Sequence, residues 1–384
     1  MKSTTKKSPV KAILQYGIYL VCTTALILLL LEGGLRLMGY PKGLFDYRAN
    51  DGKTLFRPGI SMQLVWDLIP YTITTNALGF RGPEITLEKP AATTRIIALG
   101  DSITQGFYVD NPHTYPASLQ VQLQEQGHPV EVINAAIGDI SIDRQIDLYK
   151  RFCAKLKPHI VLLTFVLNDI DAIRDKQREE LINADTFRPG LGESSEWILF
   201  GQTALGEIIL DQATQRIFDR YRSHRNILES NQLNSRYDIP GGDVFQENAQ
   251  IFLKDHAQKA DGIAAYEIYT EAQLSTIENY FYALDYFHAM LQEQDVQLVV
   301  AYFPDYPEVY LPDWQVPLHE MLREHCKDSA IPFCDLLPAL QGQGDAVLHL
   351  APLDFHPNPA GNAVMAEVFA AFLEPYLPEM GTGQ

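Results

Sequence analysis

The chain has 384 residues, 46% of them hydrophobic and 20% charged, which is ordinary globular composition and enough length for one large domain with an insertion or for two domains. Its formal net charge is −18, and the first eleven residues hold four lysines (Lys2, Lys6, Lys7, Lys11) and no acid, so the rest of the chain is more acidic than the total suggests. Such a body repels polyanions, and a nucleic-acid function is disfavoured.

Residues 1–11 form the basic tail. From Ala12 to Leu31 runs an uncharged apolar stretch with Gln15 as its most polar member. About 20 residues at a rise of about 1.5 Å cross a hydrocarbon core of roughly 30 Å, so a transmembrane helix is expected over 12–31. The lysines before it predict a cytoplasmic N-terminus, with everything after Leu31 outside, periplasmic or extracellular. A cleaved signal peptide fits less well, because the run exceeds an h-region of about 7–15 residues and no A-x-A-like site follows. Residues 32–94 mix aromatics, prolines and turn signals and predict an extended lead-in packed on the domain, with Thr72–Thr75 as a short strand.

An alternation then begins. Arg95–Leu99 is a buried-strand pattern that stops at Gly100-Asp101-Ser102, and Tyr115 to Gly127 reads as a helix with a terminal glycine. Val130–Asn134 is a second strand. Ile142, Ile146, Tyr149, Phe152, Cys153 and Leu156 repeat at helical spacing, which predicts a second helix facing the sheet. Ile160–Phe165, Val296–Phe303 and Ile331–Phe333 are the third to fifth strands, and Pro359–Tyr376 is the closing helix. Strands alternating with helices imply parallel pairing with right-handed crossovers; the expected fold is a flavodoxin-like three-layer α/β/α sandwich over 95–384. Residues 170–295 interrupt it as a mainly helical insertion, with helices at Gly206–Tyr221 and Ala260–Gln294 and loops at Gly190–Glu196 and Pro240–Gly242. Tyr266, Tyr269, Tyr280, Phe281, Tyr282, Tyr286 and Phe287 in its second helix fit either a lid over the site or a structural flank.

Ser102 by itself reads as a turn residue or helix N-cap, and the G-x-S-x-G signature fails because Thr104 stands where its second glycine belongs. Gly100-Asp101-Ser102-Ile103-Thr104, however, resembles the opening block of the GDSL, or SGNH, hydrolase family, and the later blocks follow in order. Asn134-Ala135-Ala136-Ile137-Gly138-Asp139 supplies Gly138, Val166-Leu167-Asn168-Asp169 supplies Asn168, and Leu353-Asp354-Phe355-His356-Pro357 supplies Asp354 and His356. The resemblance implies a nucleophilic Ser102, a general base His356 oriented by Asp354, and an oxyanion hole made of the Ser102 N–H, the Gly138 N–H and the Asn168 side chain. Two departures stand out. Val166 replaces the glycine of Gly-x-Asn-Asp, and Leu353 replaces the acid of Asp-x-x-His, which leaves Asp-x-His with Asp335 as a reserve for Asp354. The stretch Asn76–Gly82 also resembles the lead-in of membrane-anchored family members.

Position supports these assignments, because Ser102, Gly138 and Asn168 each follow a predicted strand and so share one rim of the sheet. G-x-G-x-x-G, G-x-x-x-x-G-K-[ST] and H-E-x-x-H are absent, and neither cofactor nor metal is implied. Among the cysteines only Cys326 and Cys334 are close enough in sequence to suggest a bridge, and buried free thiols are expected. The family spans lipases, carbohydrate esterases, thioesterases and acyltransferases. The expected activity is therefore that of a membrane-anchored, extracytoplasmic serine esterase acting on an O-acyl ester, O-acetyl included, of a small molecule, glycan or lipid. The alternatives are acyl transfer to a glycan hydroxyl by the same residues and a non-catalytic envelope binding or assembly protein on the same scaffold.

Overall fold

A computed structural model of the chain describes residues 9–38, 55–66, 69–183, 269–305, 308–309, 316–343, 347 and 356–378. They belong to two units. The first is represented by helix α1 (Pro9–Leu37), in which Gln15–Leu37 has a mean hydropathy of 2.1 and is not buried, making it a candidate membrane span. The helix runs past the expected 12–31 because Glu32 and Arg36, one turn apart, pair at 2.7 Å and leave its last turn uninterrupted.

The second unit opens with an antiparallel pair, β1 (Ser61–Trp66) and β2 (Ile69–Thr74). Only the second of these is foreseen in the sequence. Behind it Phe56, Ile73 and Phe80 are almost fully buried, and Arg81 bridges to Asn134. Next come β3 (Thr94–Leu99), α2 (Ser102–Gln105), α3 (Tyr115–Glu125), β4 (Val130–Asn134), α4 (Ile142–Leu148), β5 (Ile160–Phe165), α5 (Asn168–Asp171) and α6 (Arg178–Ile182). The remainder is α7 (Glu271–Gln292), β6 (Gln297–Tyr302), α8 (Pro317–Asp328), β7 (Phe333–Asp335), α9 (Leu337–Leu340) and α10 (Pro359–Leu373).

The five core strands are all parallel, in the order β4-β3-β5-β6-β7. This is the flavodoxin-like order, and its chain reversal lies between β3 and β5, where a crevice opens beyond the carboxyl ends of both strands. β3 and β5 are buried at every position, which requires cover on both faces. On one face Ile96, Ala98, Ile160 and Leu162 join Leu119 and Leu123 of α3 and Met365 and Phe369 of α10 in a single apolar cluster. Alternation sends Ile97, Leu99, Val161, Leu163 and Phe165 to the other face, where Phe165 meets Tyr280 of α7 at 5.1 Å between ring centroids.

Helix α7 resolves part of the question posed by the aromatic insertion. Ile277, Tyr280, Leu284, Phe287 and Leu291 are fully buried at helical spacing, and Phe287 packs edge-on against Tyr149 at 5.4 Å. Residues 271–292 are thus a core layer rather than a lid. Tyr266, the predicted helix Gly206–Tyr221, the start of Ala260–Gln294 and the loops Gly190–Glu196 and Pro240–Gly242 lie outside the described residues.

Three other elements differ from the sequence reading. The second helix does not run through to Leu156; after Leu148 it widens into a π turn over Tyr149–Cys153 and tightens into a 3₁₀ turn over Ala154–Leu156. β7 starts at Phe333 instead of Ile331, because Pro332 has no N–H for the ladder and enters it only as an acceptor, from the N–H of Val300 at 3.0 Å. Helix α8 has no counterpart among the expected elements. Cys153, Cys326 and Cys334 are buried free thiols.

Candidate active site

The site starts at the turn after β3. Gly100 has φ +154°, and a Cβ there would lie 2.3 Å from Thr104 Oγ1 and 3.1 Å from the carbonyl of Thr164, so only glycine lets the chain turn this tightly. Asp101 caps the short helix α2, its Oδ1 accepting the Ile103 N–H at 2.9 Å. Ser102, the first helical residue, keeps its hydroxyl at the rim. Asp101 is 2% exposed, and its Oδ2 accepts from Ser102 Oγ and from Asn168 Nδ2, each at 3.3 Å. Burial pushes the Asp101 carboxyl above the usual carboxylate range, against the pull of the Ile103 N–H and the Asn168 amide.

Asn168 opens α5 just beyond β5. Its loop is pinned from below by Asp169, whose Oδ2 accepts the Val166 N–H at 3.3 Å and whose carbonyl accepts the Ser141 hydroxyl at 2.6 Å. Asp169 is also pushed well up, first by burial and then by the nearby charge of Asp101.

His356 comes from the turn before α10, and its Nε2 lies 2.9 Å from Ser102 Oγ. Fully buried Asn362 holds that turn, donating to the carbonyls of Pro357 at 2.9 Å and Asn358 at 3.0 Å and accepting the Tyr115 N–H at 2.8 Å. Phe107 stacks on the imidazole with centroids 5.1 Å apart and planes 16° apart, and Tyr108 meets it edge-on at 5.0 Å and 74°. Ser102, Asn168 and His356 line one pocket of about 310 Å³, walled by Val166, Leu167, Phe303 and Pro304. Asp171 and Asp305 add two carboxylates to that lining, the first paired with Arg174 at 2.7 Å.

Ser102, Asn168 and His356 therefore come together. Gly138 does not line this pocket, and its N–H is donated to Gln105 Oε1 at 2.5 Å. Its lack of a side chain has a separate cause, since a Cβ would sit 2.6 Å from Phe107 Cζ. Asp354 lies outside the described residues. Asp335 is engaged by His319, whose Nε2 is 3.1 Å from its Oδ2.

The sequence reading missed Phe107, Tyr108, Gln105, Asn362 and Arg81. Arg81, 3% exposed, donates to Asn111 Oδ1 at 2.8 Å and to the carbonyls of Gln105, Gly106 and Val109 at 2.8, 2.7 and 2.5 Å. Burial lowers its pKa to about 10, so it is still a cation at neutral pH. The turn signals around Asn76–Gly82 marked its segment, but nothing in the sequence marked its target.

Chemically, the arrangement is a hydroxyl within proton-transfer reach of an imidazole, beside an amide able to donate to an oxygen held at the same rim. A family model for GDSL-like lipases/acylhydrolases matches residues 98–364. Among solved structures, a G-D-S-L family protein from Desulfitobacterium hafniense is similar at 13% identity, over 73% of this chain and 99% of its own, with a TM-score of 0.38. An acetylxylan esterase from Geobacillus stearothermophilus is similar at 14% identity, over 75% of this chain and 97% of its own, with a TM-score of 0.39. No curated protein matches the chain. The family match takes in most of the chain, including Ser102, Asn168 and His356, and the chain thus belongs to the GDSL-like lipase/acylhydrolase family, as a hydrolase acting on ester bonds.

Proposed function

We propose that the protein is a membrane-anchored serine esterase whose catalytic unit lies outside the cytoplasm and removes a small O-acyl group, such as O-acetyl, from a neutral substrate. The observation that carries this reading is the 2.9 Å approach of His356 Nε2 to Ser102 Oγ in a pocket shared with Asn168.

In this mechanism Ser102 Oγ attacks the ester carbonyl carbon as its proton passes to His356 Nε2, which requires the other ring proton to sit on Nδ1. Asn168 Nδ2 and the Ser102 N–H donate to the carbonyl oxygen as it becomes negative, each such donor typically supplying about 10²–10³ in rate. The imidazolium returns its proton to the departing alkoxide. Water then attacks the acyl-serine with the same base, releasing the carboxylic acid and restoring the hydroxyl. Asp354 is assigned to hold the Nδ1–H. Gly138 joins the oxyanion hole only if Gln105 gives up its N–H.

The pocket volume of about 310 Å³ is at the small end for ligand sites and favours a short acyl group. Asp305 at the same pocket disfavours anionic substrates, Asp171 being already paired with Arg174. For location, the support is the apolar helix with a mean hydropathy of 2.1 over Gln15–Leu37 and the lysines that precede it. A reporter that is active only outside the cytoplasm, fused after Gln384, checks that orientation; activity of a cytoplasmic reporter at that point overturns it.

The deciding experiment follows hydrolysis of nitrophenyl acetate by the full chain in detergent beside Ser102→Ala and His356→Ala, with labelling by a fluorophosphonate. Loss of turnover in both variants and of labelling in the first is expected. A folded parent that neither hydrolyses nor labels overturns the reading. Adding glycan acceptors to the same assay separates hydrolysis from transfer, because transfer diverts the acyl group to the acceptor.

A further inference from the structure

The general base of such a reaction must keep one ring nitrogen near 3 Å from a hydroxyl through two proton transfers, and a misplacement of about 1 Å costs roughly 10²-fold in rate. Hydrogen bonds at the ring nitrogens fix direction but leave the ring free to tilt and slide. At His356 the ring's face and edge are also occupied. Phe107 lies on the face at 5.1 Å and 16°, and Tyr108 closes the edge at 5.0 Å and 74°.

This pair is held in place at a conformational cost. Tyr108 has φ +63°, the left-handed region that a bulky side chain avoids, and such residues persist only where surrounding structure over-determines them. Here the surrounding contacts supply that determination. Arg81 grips the carbonyls of Gln105, Gly106 and Val109, bracketing Phe107 and Tyr108 on both sides. Tyr71 of β2 supports the Tyr108 ring edge-on at 5.9 Å and 83°. The Phe107 ring also fills the space beside Gly138, where even a Cβ would come within 2.6 Å of Cζ. The ring therefore packs against both Gly138 and the imidazole.

We propose that Phe107 and Tyr108 are positioning residues for His356, an aromatic clamp carried by the loop after α2 and set by the segment preceding the sheet through Arg81 and Tyr71. The proposal rests on the Ser102–His356 reading. The clamp fixes the tilt of the imidazole so that Nε2 stays on Ser102 Oγ, and its π face favours the imidazolium formed as the serine proton transfers.

The test measures kcat and KM for nitrophenyl acetate, fluorophosphonate labelling rate and Tm on the full chain in detergent. Phe107→Ala and Phe107→Leu are expected to lower kcat about 10- to 100-fold with KM within about threefold, and labelling to slow in parallel. Phe107→Trp, which restores a stacking face, is expected to return kcat to within about fivefold. Tyr108→Gly removes the ring while relieving the left-handed backbone, its Tm reports folding separately from activity, and a roughly tenfold fall in kcat is expected. Wild-type kcat in Phe107→Leu, or an effect on KM alone, overturns the clamp. His356→Ala keeps the two readings apart: if that variant retains turnover, the Ser–His mechanism has failed, whereas if it is inactive while Phe107→Leu is normal, only the clamp has.

Discussion

Two histidines sit at the carboxyl edge of the same sheet, each against an aromatic ring, yet their partners differ. His356 stacks on Phe107 and turns Nε2 to the hydroxyl of Ser102, 2.9 Å away, at an open pocket. His319 stacks on Tyr302 at 4.0 Å and turns Nε2 to the carboxylate of Asp335, 3.1 Å away, with Oε1 of buried Glu308 at 3.8 Å from its Nδ1. A hydroxyl partner leaves an imidazole a proton to take. A carboxylate on each side makes the other ring a pin between the ends of β6 and β7. Ring stacking alone therefore does not mark a catalytic histidine; the atom facing Nε2 does.

The sharpest way to break this comparison is to remove each ring in turn. Ser102→Ala and His356→Ala are expected to lower kcat by at least about 10³-fold, with Tm within about 3 °C of the parent. His319→Gln should do the reverse, keeping kcat within about fivefold while losing about 1–2 kcal/mol of stability, read from urea unfolding. Catalytic collapse in His319→Gln with normal activity in His356→Ala would reverse the two assignments.

Next in size is Arg81, which belongs to the His356 side alone. Arg81→Met leaves the carbonyls of Gln105, Gly106 and Val109 without their buried donor, at a cost of about 3 kcal/mol or more. Activity should fall with stability, because the loop that loses its anchor carries Phe107 and Tyr108. A variant that is destabilised yet fully active at 20 °C would detach the loop from His356.

On the other side, Glu308 gives His319's cluster a pH dependence of its own. The carboxyl is 0% exposed and is pushed up to about 7 by burial, against the pull of the Tyr302 hydroxyl at 2.5 Å, the Asp305 N–H at 2.9 Å and the charge of His319. The unfolded chain releases this proton near the ordinary carboxyl value of about 4.5 and the folded chain keeps it to about 7, so the folded state binds more protons in that window. Its contribution to stability is fully present below about 4.5 and is lost as pH rises through 7, to a total of about 3 kcal/mol. Glu308→Gln, which still accepts from Tyr302 and Asp305, should flatten Tm between pH 5 and pH 8; an unchanged slope would remove Glu308 as its source.

What the sequence made legible follows the same division. Ile160–Phe165 is a strand at the expected residues because a fully buried parallel strand needs a near-continuous apolar run, and Val130–Asn134, at the sheet edge, is one because Val130, Val132 and Ile133 are buried there. Ser102 and Asn168 were visible because a parallel sheet fixes where its strand ends point, and His356 because it sits in a recognisable block before the closing helix. Strand β1, whose residues Ser61–Trp66 carry no run of that kind, depends on a partner the sequence does not announce. Phe107 and Tyr108 were invisible for a related reason. Their partner is some 250 residues away in the chain, and an aromatic pair in a loop reads as ordinary packing until the imidazole in contact with both rings is seen.

The smallest expected effect tests why residue 138 is glycine. An alanine there retains the N–H, so a role confined to donating that N–H to an oxyanion predicts little change beyond backbone adjustment. Its Cβ, however, needs space that Phe107 Cζ fills at 2.6 Å, and a shift of that ring disturbs its stack on His356. Gly138→Ala alone should lower kcat about fivefold, and in a Phe107→Ala background it should add nothing, because the obstruction is already gone. Full additivity in that double-mutant cycle would mean that residue 138 acts independently of the ring, and would return Gly138 to the oxyanion hole as a donor once Gln105 moves aside.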